Sequence, residues 1–252
     1  AVLLADGGFQ GNVDMVARHV CPQADRLRQR GASTGLGDGL RMARALGARI
    51  TDLGSFYGHT LSRDAFASDA LWPFPHLDDL CTSGIVVNAA GERFADEGLG
   101  GVYLANAIAK LPDPLSAWAI FDAGIWEGPG REAKVPSNPH LVRGGGTLLT
   151  ADTLQGLATQ AQIPVDALAS TVARYGQALG AGQLAGLDPR RSTVARPALP
   201  ISRPPFHAVP LCAGITYTMG GIATDADGRV LRDDGQAIPG LYGAGATTGG
   251  LE

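Results

Sequence analysis

Apolar and polar positions follow two patterns along the chain, one typical of strands and one typical of helices. Together they predict a mixed α/β fold. Short apolar runs that end in glycine or a polar turn predict strands at 1–5, 48–53, 85–87, 118–121 and 238–245, the first of them buried. Apolar residues at helical spacing predict four helices, which begin at Asn12, Asp38, Asp152 and Pro164. We expect Asn12 and Asp38 to act as N-caps, and Gly47 to end the second helix.

The order of these elements predicts a domain inserted into another domain. A strand–helix–strand segment comes first and a long insertion follows. A hairpin between 222–224 and 229–231, turning at Asp227-Gly228, and a strand with a glycine loop close the chain. We therefore expect a discontinuous domain of residues 1–54 and 202–252, with an α+β domain of residues 55–201 inserted into it.

Composition narrows the class of protein. The chain has 252 residues, of which 45% are hydrophobic and 6% aromatic, as is typical of a folded globular protein. A net charge of −4 without a long basic run argues against nucleic acid as a partner. The three cysteines are widely spaced, so we expect buried free thiols and a cytoplasmic location. No apolar stretch predicts a membrane span, and the scattered histidines predict no metal site.

Glycine is unusually frequent and clustered. The chain has 36 glycines, and clusters of them occur at 7–8, 35–39, 144–146, 220–221 and 243–250. Such clusters predict tight turns where the backbone approaches either another backbone segment or a ligand.

Five motifs in a fixed order carry a resemblance to a known family. They are LLADGGF at 3–9, GDG at 37–39, VVNAAGERFADE at 86–97, YTMGG at 217–221 and IPGLYGAG at 238–245. In this order and spacing they resemble the fumarate reductase/succinate dehydrogenase flavoprotein family. Residues 212–221 resemble its tricarballylate dehydrogenase-like branch.

The resemblance implies a partial Rossmann-like FAD-binding domain with an inserted α+β capping domain. The GxGxxG motif that the family carries on its first strand is absent here, and so is its final helix, so we expect a truncated chain. Sheet edges without partners would then leave apolar faces uncovered, and we expect such a chain to self-associate.

The resemblance also implies which residues bind FAD. They are Ala5, Gly7, Gly8, Asp38, Thr216, Gly220, Gly245 and Gly249. Ordinary turns would explain the glycines equally well, and an N-cap role would explain Asp38.

Substrate contacts implied by the resemblance fall on His59, His76 and Tyr217, with His59 and Tyr217 as catalytic residues. The family's proton-donating Arg follows the Asp-Glu end of the Gly-x-Arg-Phe motif, but Gly98–Gly101 stands there instead. Arg93 within that motif is expected to form a structural ion pair. Other candidates for the site are Arg63, Tyr103, Arg203 and His207.

Three interpretations stay open at this point. The first is an FAD-dependent oxidoreductase that introduces or reduces a C=C bond in a small carboxylic acid by hydride transfer with flavin N5, with an electron-transfer partner. The second keeps the flavin but takes a neutral ketone, as ketosteroid Δ1-dehydrogenases do, because tyrosines polarise a carbonyl without a countercharge. The third is an inactive fragment that only folds and self-associates.

Overall fold

The chain divides into two compact units. A computed structural model describes residues 1–250. The discontinuous unit consists of Ala1–Gly58 and Gly214–Glu252, and the inserted unit consists of His59–Ala213. The predicted domain boundaries, after residues 54 and 201, lie before the observed ones, after residues 58 and 213. Each observed boundary falls inside a strand that continues from one unit into the other. The assignment of the two units as FAD-binding and capping domains stays a prediction.

The discontinuous unit contains a small mixed sheet. Its elements are β1 (Val2–Leu4), α1 (Val13–His19), β2 (Arg28–Gln29), α2 (Asp38–Ala45), the start of β3 (Phe56–Ser62), the end of β7 (Phe206–Thr218), β8 (Arg229–Leu231) and β9 (Ala237–Gly243). Strand β9 lies between β1, which is parallel to it, and β8, which is antiparallel. Strand β2 pairs in parallel with the end of β7, where Arg28 lies opposite Gly214.

Strand β1 forms where the sequence predicts it, but most of it is not buried. Leu4 is buried, whereas Val2 and Leu3 are 57% and 62% exposed. The reason is its position: β1 is one of the two edge strands of its sheet, paired only with β9 among the described residues. An exposed apolar edge strand offers unpaired backbone groups to other chains. Self-association through this edge stays a prediction, which light scattering at high protein concentration tests.

Helices α1 and α2 differ in how they begin. The Asn12 side chain accepts a hydrogen bond from the Met15 N–H, which confirms the predicted N-cap of α1. For α2 the prediction was wrong. Gly37, with φ of 76°, occupies the N-cap, and Asp38 is the first helical residue. Only glycine adopts this left-handed conformation readily, so the glycine rather than the carboxylate begins the helix. Gly47, with φ of 81°, follows the helix as predicted.

Two predicted strands of the discontinuous unit do not form. In the segment 48–53, Ala48 bridges to Arg232, whereas Ile50 bridges to Ile222. Because the partner changes from one segment to another, no continuous ladder develops. Residues 222–224 also make only isolated bridges, so the predicted hairpin around Gly228 keeps one regular strand, β8.

The inserted unit is built around a buried antiparallel sheet. Its elements are α3 (Asp78–Ser83), β4 (Ile85–Val87), α4 (Gly101–Ala109), β5 (Trp118–Asp122), α5 (Ala123–Glu127), α6 (Ser137–Arg143), β6 (Leu149–Ala151), α7 (Leu154–Ala161) and α8 (Val165–Gly180), with the remainder of β3 and β7. Strand β5 pairs with β4 on one side and with β7 on the other, and β6 also pairs with β7. Strands β4 and β5 confirm the predictions from their apolar runs.

The helix starts in this unit shift by one residue from the sequence prediction. Thr153, whose side chain accepts from the Gly156 N–H, caps α7 in place of Asp152. Pro164 is the N-cap residue of α8 rather than its first helical residue. Both units combine helices with sheets, which confirms the mixed α/β class. No helix within residues 1–250 is long and apolar enough to cross a lipid bilayer.

Candidate functional site

A pocket in the discontinuous unit is built around two stacked tyrosines. Tyr217, near the end of β7, is 37% exposed, and its ring stacks on Tyr57 of β3 at 5.0 Å between centroids and 13° between planes. The cavity beside them has a volume of about 530 Å³. It is lined by Tyr57, Tyr217, Thr218, Met219, Gly245, Ala246 and Thr248. None of these side chains carries a formal charge at neutral pH.

Tyr57 was missed in the sequence analysis. On β3, half-buried Tyr57 and His59 alternate with buried Phe56, Gly58 and Thr60. This two-residue alternation could have identified Tyr57 from the sequence, because it places Tyr57 and His59 on the same side of the strand.

The predicted FAD-binding glycines fall into two kinds. At Gly7 and Gly245, with φ of 88° and 68°, an added Cβ would meet nothing within 4 Å, so their backbone is open to an approaching molecule. At Gly8, Gly220 and Gly249 an added Cβ would collide with the protein itself. The first two fit a cofactor that lies against bare backbone, whereas the other three allow the protein's own segments to pack closely.

Asp6, which the sequence analysis passed over, connects these glycine turns. Its Oδ2 accepts the Gly39 N–H at 2.8 Å, near the start of α2. Its Oδ1 accepts from the Thr247 hydroxyl at 3.3 Å, and Thr247 Oγ1 accepts the Gly7 N–H at 2.8 Å. One carboxylate therefore joins the turn after β1, the start of α2 and the turn after β9. The position of Asp6 directly before Gly7-Gly8 could have identified it from the sequence.

The remaining predicted FAD residues have mixed environments. Ala5 is exposed. Asp38 is exposed and forms an ion pair with Arg41 one turn along α2. Thr216 Oγ1 accepts a hydrogen bond from Arg30 Nη1 at 2.8 Å. Their roles toward FAD stay predictions.

In the inserted unit, the two predicted substrate-binding histidines belong to a stack of rings. His59 and His76 lie 3.8 Å apart between centroids at 18°, and Phe74 lies on the other face of the stack at 4.6 Å from His76 and 22°. The stack limits rotation of both imidazole rings. The structure thus brings His59 and His76 together, as residues of one cluster.

Asp78, the first residue of α3, anchors this cluster. Its Oδ2 lies 2.6 Å from His59 Nδ1, and its Oδ1 accepts the Thr60 N–H at 2.9 Å and the Thr60 hydroxyl at 2.6 Å. Burial alone would raise the pKa of Asp78. The hydrogen bond and charge of His59, together with the Thr60 hydrogen bonds, outweigh it and lower that pKa below its ordinary value. The carboxyl is therefore ionised and oriented by its neighbours.

Potential metal ligands meet in the same cluster, but their orientation does not suit an ion. Within residues 1–250, ligand atoms of His59, His76 and Asp78 lie within 4.8 Å of one another. Nitrogen lone pairs lie in the ring plane, so two rings stacked at 18° hold their lone pairs in two nearly parallel planes about 3.8 Å apart, which do not meet at one point between the rings. A metal ion at about 2.0–2.1 Å from both nitrogens needs lone pairs that converge. The expectation of no metal site stays a prediction.

Arg93 forms the structural ion pair that the sequence predicts. Its Nε and Nη2 contact the two carboxylate oxygens of Glu97 at 2.9 Å and 2.5 Å, and Glu97 is fully buried. Arg93 also donates to the carbonyls of Pro189, Ala95 and Arg190. These bonds commit the guanidinium to the interior of the inserted unit. A second buried guanidinium, that of Arg191, lies 3.7 Å from the same carboxylate.

The other candidates occupy structural positions in the inserted unit or lie on its surface. His207 on β7 is buried against the rings of Phe121 and Trp126. Its Nδ1 lies 3.0 Å from Thr150 Oγ1, and burial lowers the pKa of His207. Arg63 donates to the Leu115 carbonyl at 2.8 Å. Tyr103 on α4 is 41% exposed, and the Arg203 backbone N–H donates to Asp122.

The discontinuous unit thus holds a pocket with an uncharged lining, which includes the open glycine Gly245. The family model described as "FAD binding domain" matches residues 1–252. The chain therefore belongs to the FAD binding domain family, which includes FAD-dependent oxidoreductases.

Proteins similar to this chain include both a fumarate reductase and a 3-oxosteroid dehydrogenase. The chain is 30% identical over 256 residues to fumarate reductase (cytochrome) of Shewanella frigidimarina, covering 100% of this chain and 41% of that protein. It is 30% identical over 282 residues to 3-oxosteroid 1-dehydrogenase of Mycobacterium tuberculosis, covering 97% and 46%. The crystal structure of 3-ketosteroid delta1-dehydrogenase from Sterolibacterium denitrificans shares the fold, with a TM-score of 0.72, 24% identity and coverage of 98% and 47%. The chain thus spans less than half the length of these relatives.

Proposed function

We propose that the complete protein is an FAD-dependent oxidoreductase that forms or removes a C=C bond next to the carbonyl group of a neutral ketone. The bound flavin supplies the hydride acceptor or donor. In this chain Gly7 and Gly245 would lie against it, because their backbone is open where a side chain would otherwise stand. The proposed location is the cytoplasm, with a small-molecule substrate and an electron-transfer partner.

The observation that supports a neutral substrate is the lining of the tyrosine pocket. A carboxylate in a pocket without a cation is expensive, because its charge loses water and gains no partner. A phenol stabilises negative charge that develops on a carbonyl oxygen by donating one hydrogen bond. We assign that role to Tyr217, with Tyr57 stacked against it.

A small carboxylic acid is the second candidate substrate. It is favoured by the half-buried imidazoles of His59 and His76, since a protonated imidazole pairs with a carboxylate. The ionised Asp78 carboxyl beside His59 counteracts this attraction.

Anaerobic bleaching of the flavin in the full-length protein separates the two candidates. We expect a 3-ketosteroid to reduce the flavin faster than succinate or tricarballylate. Tyr217→Phe removes the donor and keeps the ring, so it should slow reduction by about 10²-fold. Tyr242→Phe on β9, outside the pocket lining, is the matched control and should leave the rate unchanged. Bleaching by polycarboxylates alone would reject the ketone, and an unchanged rate in Tyr217→Phe would remove Tyr217 from the site.

A further inference from the structure

A second cavity lies within the inserted unit. Its volume is about 710 Å³, inside the range of about 300–1,000 Å³ that small-molecule sites have. The turn after β4, helix α8 and the segment that follows α8 line it, and none of its lining residues lines the tyrosine pocket. The lining includes Glu92, Phe94, Thr171, Arg174, Leu187 and Asp188.

Two carboxylates of this lining have no counter-ion in the protein. Within residues 1–250, neither Glu92 nor Asp188 forms an ion pair. Arg93 Nη1 donates to the Pro189 carbonyl at 2.7 Å, and each carboxylate residue directly precedes one partner of that bond. The charge of Arg93 itself is taken up by Glu97. The bond therefore brings together two segments that each carry an unpaired negative charge, and this part of the lining attracts a cation.

Helix α8 adds an unpaired cation and an unsatisfied hydroxyl to the same lining. Arg174 is exposed and forms no ion pair with any part of the chain that the structure describes. Thr171, three residues earlier and so on the same face of the helix, is 3% exposed, and among the described residues its Oγ1 has no hydrogen-bond partner. A threonine inside a helix often donates to the carbonyl four residues earlier. A buried hydroxyl without such a bond leaves a position open for an acceptor from a ligand.

We propose that this cavity binds an α-amino acid with an apolar side chain. The carboxylate of the ligand pairs with the Arg174 guanidinium and accepts from the Thr171 hydroxyl. Its ammonium group pairs with Glu92 and Asp188. A simple anion meets two repelling carboxylates here and a simple cation meets a repelling arginine, so a molecule with both charges matches the lining best.

The apolar part of the lining defines the kind of side chain. Phe94 and Leu187 are half-buried, so an apolar group that lies against them removes further apolar surface from water. The volume of the cavity is large enough for an aromatic ring, which makes L-phenylalanine a suitable probe. This inference goes beyond the proposed function, because it depends neither on the flavin nor on the tyrosine pocket.

Saturation-transfer difference NMR with the full-length, FAD-bound protein measures the binding. The probes are L-phenylalanine, 3-phenylpropanoate, which lacks the ammonium group, and phenethylamine, which lacks the carboxylate. We expect L-phenylalanine to bind with a dissociation constant of about 1 mM or tighter, and each analogue to bind at least about 10-fold more weakly. An analogue that binds as tightly as L-phenylalanine would overturn the recognition of both charges. No binding of L-phenylalanine at about 10 mM, well above that constant, would overturn the site.

Three variants assign each charge to its residue. Arg174→Gln should weaken L-phenylalanine about 10-fold and leave phenethylamine unchanged, because only the carboxylate loses its partner. Glu92→Gln should weaken L-phenylalanine about 5-fold and leave 3-phenylpropanoate unchanged, since Asp188 still pairs with the ammonium group. Thr171→Val keeps the shape of the side chain and should weaken both carboxylate-bearing probes about 5-fold. Arg143→Gln, at an exposed arginine of α6 outside the lining, is the matched control and should bind like the wild type.

The outcomes separate this proposal from the proposed function. Glu92 and Arg174 are exposed, so both variants are expected to fold, and far-UV circular dichroism checks this. An unchanged affinity for L-phenylalanine in both would assign its binding to another part of the protein and reject the cavity as the site. Binding is measured without turnover, so a flavin that no ketone bleaches rejects the proposed function and leaves this test intact.

Discussion

Two ion pairs in the inserted unit, Arg93–Glu97 and His59–Asp78, differ in how deeply they are buried. Glu97 is fully buried, and the guanidinium beside it is surrounded by its carboxylate and three backbone carbonyls. The side chains of His59 and Asp78 are 15% and 21% exposed. The donors of the first pair are taken up by the protein interior, whereas the second pair is partly exposed. The pair inside the recognisable sequence motif is therefore structural.

The largest expected effect comes from breaking the buried pair. Glu97→Gln keeps the shape of the side chain but leaves the charges of Arg93 and Arg191 without their carboxylate. Loss of one partner from a buried pair costs about 3–5 kcal/mol of unfolding free energy. All three tryptophans of the chain lie in the inserted unit, so urea unfolding followed by tryptophan fluorescence measures it. A loss below about 1 kcal/mol, the range of exposed pairs, would contradict the structural role.

An intermediate effect is expected for Asp78→Asn. Loss of hydrogen bonds to a charged group that is partly buried costs roughly 1–3 kcal/mol, which leaves the unit folded. Because the pKa of Asp78 is lowered in the folded state, its carboxylate stabilises the fold above the ordinary aspartate pKa. That stabilisation is lost as the pH falls through the ordinary pKa towards the lowered one.

Urea unfolding across the acidic range measures this difference. The stability gap between wild type and Asp78→Asn should narrow as the pH falls below about 4, near the ordinary aspartate pKa. A gap that stays constant with pH would show that the variant loses packing rather than a charge interaction.

The smallest effect is expected at Asp79, whose side chain is about as exposed as that of Asp78 but, within residues 1–250, forms an ion pair with Arg196 alone. Asp79 pairs with Arg196 at 2.8 Å, and Arg196 also contacts Glu132, so one partner remains after Asp79→Asn. Ion pairs of this exposure contribute about 0–1 kcal/mol, and less at high salt. The same unfolding experiment checks it, and a loss as large as that of Asp78→Asn would show that the larger number of hydrogen bonds at Asp78 does not determine the difference.

The sequence predicts the ion pair whose two partners are close together along the chain. Arg93 and Glu97 lie four residues apart in one motif, and an ion pair is a natural reading of that spacing. His59 and Asp78 are separated by 19 positions, and only the meeting of β3 with the start of α3 makes them a pair. Asp78 gave no local signal, because an acidic residue at the first turn of a helix is ordinary.

The predictions about strands that were wrong also depended on residues distant in the sequence. The segment 48–53 has the apolar run of a strand, but its bridging partners come from two different segments. The run at 1–5 does form a strand, yet Val2 and Leu3 are exposed because β1 is an edge strand. Apolar periodicity reports what a segment is able to bury. It does not report which neighbours are present to cover it.

The missing side chain at Gly101 restricts the order in which this sequence can change. A substitution there that arrives before any change at Asp78 meets an occupied space, so it damages packing and displaces Asp78 together. After Asp78→Gly the carboxyl group is gone, so a Cβ at position 101 no longer meets it. The effect of a substitution at position 101 therefore depends on which residue is already present at position 78.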